Sequence, residues 1–275
     1  MTLCQAYRVV FSTTSPEIML RKVQYFLVLG LSFWCAAYAF AEPADPDRSQ
    51  NNADDHAIQQ AFPTLSKINL KELGYAYWQE VNVYYDPALS VKLDGKNPDK
   101  DVYPEDVMLA HRVLRSQLLG KGKGDFFIDC TSGPSGDPGC IFSPVAAPLE
   151  KSETIWGLNF VLPGDGTLYV SGHTNNMFSM HKKYEWRKDR FVEIQQPFSY
   201  VGLKTTVTRD LKLYNTRDDG QIVVSLPAGA EVTVLINDGN DYLLSTPLGL
   251  TGWVKVKDGV QEDVTTIRGI YFAGD

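Results

Sequence analysis

The chain has 275 residues, 44% of them apolar and 21% charged, and a formal net charge of −7. That length suits roughly two domains of about 100 to 150 residues each, and the composition excludes both a collagen-like chain and one disordered throughout. The acidic balance argues against nucleic acid, whose phosphates call for a surplus of Lys and Arg, and against adsorption to anionic lipid.

From Met19 the chain reads "MLRKVQYFLVLGLSFWCAAYAFAEPADPD". Arg21 and Lys22 precede an apolar run from Tyr25 to Trp34, and small residues follow, which is the pattern of a secretory signal peptide. Ala39-Phe40-Ala41 places the cut before Glu42, so residues 1–41 are expected to be lost and the protein to be exported, to a periplasm or to the exterior. The start codon is either Met1 or Met19, the residues before Met19 reading as an upstream extension. The apolar run is shorter than the ~20 residues of a membrane span. Processing removes Arg8, Arg21 and Lys22 against Glu17, leaving a still more acidic chain. It also removes Cys4 and Cys35, leaving Cys130 and Cys140.

Residues 42–60, "EPADPDRSQNNADDHAIQQ", are acidic and carry almost no large apolar side chain. The composition predicts a flexible linker. Ordered structure is expected from Ala61, and 61–203 reads as an α+β domain with one antiparallel sheet. Its helix is placed at Pro104 to Leu119: Pro104 suits a first helical position, Glu105 and Asp106 oppose the dipole, and Val107, Ala110, Leu114 and Leu118 recur at helical spacing. Gly120 then supplies the stop. Farther on, Pro163 to Gly166 and Arg187 to Arg190 each sit between alternating runs and predict two antiparallel hairpins.

Between them lies "GDFFIDCTSGPSGDPGC", Gly124 to Cys140. Two cysteines left in an exported chain predict a Cys130–Cys140 disulfide. The alternative is a nucleophile, because Asp129-Cys130-Thr131-Ser132-Gly133 resembles the site of cell-wall cysteine peptidases, and His173 would then be the base. Against it, two prolines and three glycines follow Cys130, so no helix N-terminus is there to lower the thiol pKa. The histidines of the processed chain, His56, His111, His173 and His181, have no metal-ligand spacing. No phosphate loop or nucleophile elbow occurs, so neither metal nor cofactor is expected.

Residues 204–275 carry short strands punctuated by Gly, Asn and Asp, the pattern of a small all-β barrel. Asn215-Thr216-Arg217, Leu226-Pro227-Ala228-Gly229, Val232-Thr233-Val234-Leu235 and Thr251-Gly252-Trp253-Val254 resemble, in order, the motifs of the bacterial SH3-like (SH3b) domain family. The resemblance covers Thr205 to Lys257, about a fifth of the chain. It departs at Asp218-Asp219-Gly220, where that family usually has Ser-Gly-Pro, and at Tyr242, a position that is often Trp. It implies an SH3-like barrel that binds peptidoglycan or a protein peptide, with Tyr214, Tyr242 and Trp253 as contacts. The basic, aromatic stretch "HKKYEWRKDR" alternates as a solvated hairpin with Tyr184 and Trp186 inward and Lys183, Glu185 and Arg187 in water, the alternative being a second contact surface of Tyr184, Trp186 and Arg187. The expected function is that of an exported, non-catalytic binding protein; a Cys130/His173 peptidase and a periplasmic inhibitor or immunity-type protein are the alternatives.

Overall fold

The computed structural model describes residues 46–74, 80–96, 110–131, 137–146, 151–172, 178–256 and 265–270, with the backbone alone for 46–53. Residues 1–45, with Cys4 and Cys35, lie outside them, as does His173. Pro43–Asp275 is one compact unit, holding two hydrophobic clusters and three sheets.

The first cluster lies between two sheets. One has six strands: β1 (Ser66–Asn69), β2 (Asn82–Tyr85), β8 (Asn159–Leu162), β9 (Thr167–Gly172), β10 (Met180–Arg187) and β11 (Arg190–Ile194), in that spatial order. The other is a five-stranded meander of β3 (Ser90–Lys92), β4 (His111–Ser116), β5 (Phe126–Thr131), β6 (Gly139–Pro144) and β7 (Glu153–Trp156). Alternation decides which side chains face inward. Phe126, Ile128 and Cys130 of β5 join Val83 of β2, Phe160 and Leu162 of β8 and Leu168 of β9 in one buried cluster. β2 and β8 run parallel, so the meander is inserted between two neighbouring strands of the other sheet.

This overturns the α+β reading of 61–203. The described part of the predicted helix, from Ala110 on, contains strand β4, hydrogen-bonded to β3 and β5; Pro104 to Leu109 lies outside the described residues. Leu114 and Leu118 are buried as the helical spacing asked, but Val113 is fully buried as well. Pairing on both edges satisfies the β4 backbone and outweighs a local helical preference. Gly120, expected as a helix stop, sits in a turn at φ 107°, its N–H donating to Gln117. The two hairpins form around the expected turns, as β8–β9 and β10–β11. Lys188 and Asp189 both take positive φ, 51° and 61°, the two-residue turn whose twist matches its strands.

The one α-helix among the described residues is α1, Pro46–Ala61, almost wholly inside the stretch read as a linker. It lies on the outer face of the six-stranded sheet. Asp55 accepts a hydrogen bond from Tyr84 and pairs with Lys67 at 3.0 Å, while Phe62, just past the helix, meets the Tyr169 ring at 5.4 Å.

The second cluster belongs to a six-stranded antiparallel sheet ordered β12 (Ser199–Thr206), β15 (Glu231–Asp238), β16 (Asp241–Ser245), β17 (Thr251–Lys255), β13 (Leu211–Tyr214) and β14 (Ile222–Leu226). Leu203, Leu213, Val234, Leu244 and Val254 fill its inner face with Ile267 and Ile270. β12 and β14 end the strand order without pairing with each other, so the sheet is not closed, and the C-terminal end of β12 is bridged by Thr266 to Arg268. The SH3-like barrel implied by the motifs is not what the chain builds: bulges after Tyr200, Val234 and Leu213 bend the ladder without closing it. The protein is mostly β, with two cores.

Candidate functional site

The outer face of the C-terminal sheet carries an ordered apolar row. Tyr200 stands opposite Ile236, Ile236 opposite Leu243, Leu243 opposite Trp253, Trp253 opposite Tyr214, and Tyr214 opposite Ile222. Directly opposed residues share a face, so six side chains, one per strand, cross the whole sheet. Five strand spacings of about 4.8 Å make that row about 24 Å long. Its ends are open to solvent, Tyr200 being 63% and Ile222 50% exposed, while Val201, Leu213, Leu244 and Val254 point the other way into the core.

Trp253 is at the middle of this row, and its neighbours hold it there. The Arg217 guanidinium lies 4.4 Å from its ring centroid and 5.3 Å from that of Phe198, itself 43% exposed. Asp238 pairs with Arg217 and fixes it over the indole. Gly252 lets β17 approach β13: a Cβ there would stand 2.7 Å from that of Leu213. The Asn-Thr-Arg and Gly-Trp-Val motifs thus meet in space around one stacked cation.

The other expected contacts are placed differently. Tyr214 lies in the row beside Trp253, but Tyr242 is 5% exposed and sits edge-on to Phe178 within the core. Tyr184 and Trp186 pack against the first cluster, Trp186 meeting Phe126 and Phe191 edge-on at 5.1 Å each. Burial first, then the Glu193 carboxylate, pushes the Tyr184 hydroxyl up to about 12. The hairpin charges answer one another, Lys182 with Glu193 and both Lys183 and Arg187 with Glu185. That leaves Arg187 as the one exposed member of the proposed second surface.

Cys130 and Cys140 are directly opposed on β5 and β6, with Cα atoms 4.0 Å apart, and form a disulfide-capable pair. Both are 0% exposed. Asp129, on the other face of β5, is gripped by Arg112 through two bonds of 2.9 and 3.1 Å, and that guanidinium covers the Phe127 ring at 4.1 Å. The Asp-Cys pair resembling a peptidase site is therefore split between two faces, its sulfur in the core and its carboxylate in an ion pair.

A second polar feature was not legible in the sequence. Asp54 on α1 takes 2.9 Å and 2.7 Å hydrogen-bond contacts with His181 Nε2 and Ser179 Oγ. Behind it a buried chain runs from Ser171 to Asn159 and on to Asn82. Burial would raise the Asp54 carboxyl, but hydrogen bonds from His181, Ser179 and Ser171, with attraction to His181, leave it below its ordinary value. Burial opposes Asp55 likewise, and Tyr84 and Lys67 outweigh it. The signal that could have found these acids is the spacing Asp54, Ile58, Phe62, one helical face hidden in a polar segment. Ser179 donates to the acid and not to the imidazole, so the cluster is no nucleophilic triad.

Among the described residues no group of three or more His, Cys, Asp or Glu is placed to hold a metal ion, and no helix is long and apolar enough to cross a membrane. The fold and the row define a mostly β protein with an open-edged sheet and a cross-strand aromatic face. No family model, curated protein or solved structure matches the chain.

Proposed function

We propose that this is an exported, non-catalytic binding protein, cut before Glu42, whose C-terminal sheet takes cell-wall peptidoglycan on its outer face. The observation that carries the reading is the row from Tyr200 to Ile222 with Trp253 at its centre. Aromatic rings that keep part of their surface in solvent stack on the apolar faces of sugar rings, and a row of ~24 Å follows an extended polymer rather than a compact ligand. Arg217, paired with Asp238 and stacked on the indole, holds Trp253 in place at the middle of the row. The ligand class comes from the motif resemblance over Thr205 to Lys257. On export, Cys130 and Cys140 form the disulfide.

The test is cosedimentation of the mature protein with purified peptidoglycan. The wild type should pellet, and Trp253→Ala should weaken binding by about 30-fold, the ~2 kcal/mol of a central aromatic anchor. Wild-type protein left in the supernatant would end the cell-wall reading and turn the row towards a protein partner.

A further inference from the structure

The helix and the sheet beneath it do not close on each other. α1 is fastened at its middle by Asp54 and Asp55 and, just past its C-terminal end, by Phe62 against Tyr169. Between the fastenings a groove of about 420 Å³ remains. Its walls are Ala57, Ile58 and Phe62 on the helix side and Val161, Tyr169 and Ile194 on the sheet side. Protein interiors pack as densely as organic crystals, so an apolar gap of this size is not ordinary helix-on-sheet packing. It falls within the ~300 to 1,000 Å³ of small-molecule sites.

We infer that this groove binds an uncharged, linear hydrocarbon chain, an acyl or alkyl tail. Two features select that occupant. The charged groups at the rim are already answered, Asp54 by His181 and Ser179, Lys182 by Glu193, Lys183 by Glu185, and among the described residues the polar atom left there without a partner is His181 Nδ1, a hydrogen-bonding site that a hydroxyl can meet. A ligand charge brought inside would be desolvated without a counter-charge, a cost that a hydrocarbon escapes. The second feature is size. A helix about 10 Å across fills roughly 420 Å³ with a single 5.4 Å turn, so the groove cannot seat a partner helix, whereas a narrow chain lies along it. The site is separate from the Trp253 row and does not depend on what that row binds.

The experiment titrates the mature protein with the uncharged fluorophore N-phenyl-1-naphthylamine and displaces it with dodecan-1-ol or dodecanoate. The expected results are saturation at one probe per protein, displacement by dodecanol, and displacement by dodecanoate at least 10-fold weaker. Ala57→Trp and Ala61→Trp, which fill the groove from exposed helix positions, should each weaken the probe at least 10-fold at an unchanged unfolding midpoint. Should either variant fold poorly, Ala57→Cys provides the second readout: dodecanol should slow alkylation of its introduced thiol by N-ethylmaleimide. A flotation arm with phosphatidylcholine vesicles separates a free chain from a bilayer-held one. Absence of saturable binding, tighter binding of dodecanoate, unchanged affinity in both well-folded Trp variants, or alkylation of the Ala57→Cys variant at the same rate with and without dodecanol would each overturn the inference, as would vesicle flotation that dodecanol fails to compete.

Discussion

Reducing the Cys130–Cys140 pair should lower stability by about 3 kcal/mol. The two residues are 10 apart in sequence, and the chain-entropy relation for so short a loop gives about 9 cal/mol/K, or about 3 kcal/mol at 25 °C. With a urea m-value of ~2 to 3 kcal/mol/M, the midpoint should fall by about 1 M. The double variant Cys130→Ala/Cys140→Ala should fall further, because both sulfurs are fully buried against Ile128 and Phe142 and their loss leaves space the core cannot refill. Comparing reduced wild type with the double variant therefore separates the crosslink from the packing. The assay is urea unfolding followed by tryptophan fluorescence, with and without reductant, alongside intact mass after alkylation in denaturant. An unshifted midpoint on reduction, or two adducts on the unreduced protein, refutes the reasoning.

Tyr242→Ala should cost about 3 to 5 kcal/mol, because its ring is in the core, while leaving the affinity of the folded protein for its ligand unchanged; calorimetry and cosedimentation together separate it from Trp253→Ala. Arg112→Ala should cost about 3 to 5 kcal/mol by removing the guanidinium that grips Asp129, which is 0% exposed, and Arg112→Met/Asp129→Leu should recover most of that loss in urea unfolding. Asp54 and Asp55 both sit below their ordinary value of 3.8. Their stabilisation is therefore complete above about pH 5 and lost as pH falls through their folded-state values. Urea midpoints between pH 7 and pH 3 should drop less steeply for Asp54→Asn than for wild type, and equal slopes would remove Asp54 from the account.

The turns were legible because a turn is local chemistry: Lys188-Asp189 and Pro163 to Gly166 mark their hairpins whatever surrounds them. The cysteine pair was legible because only Cys130 and Cys140 remain once the expected cut removes Cys4 and Cys35. The helix at Pro104 to Leu119 misled because Ala110, Leu114 and Leu118 fit a 3.6-residue period by accident, while the deciding fact, β4 lying between β3 and β5, is a non-local pairing. Motifs located Tyr214, Arg217 and Trp253, yet could not say that Tyr200, Ile236, Leu243 and Ile222 would align with them. That alignment depends on register and on three bulges, and a shift of one residue would have sent the row into the core. Tyr242 shows the same limit, one residue before Leu243 and on the opposite face.

The parallel pairing of β2 with β8 sets an order of events. The whole meander, β3 to β7, lies in the chain between these two neighbours. A chain that emerges N-terminus first delivers β2 with no partner on one side, then the five strands of the meander, each from β4 on able to pair with the one just before it. Only when Asn159 to Leu162 arrives can β2 complete its ladder, closing a loop of more than seventy residues at a cost that grows with the logarithm of its length. By then the meander, with Cys130 facing Cys140, is in place to shorten that loop. Without that crosslink the loop to be closed is longer, and β2 waits longer as an exposed, half-paired strand.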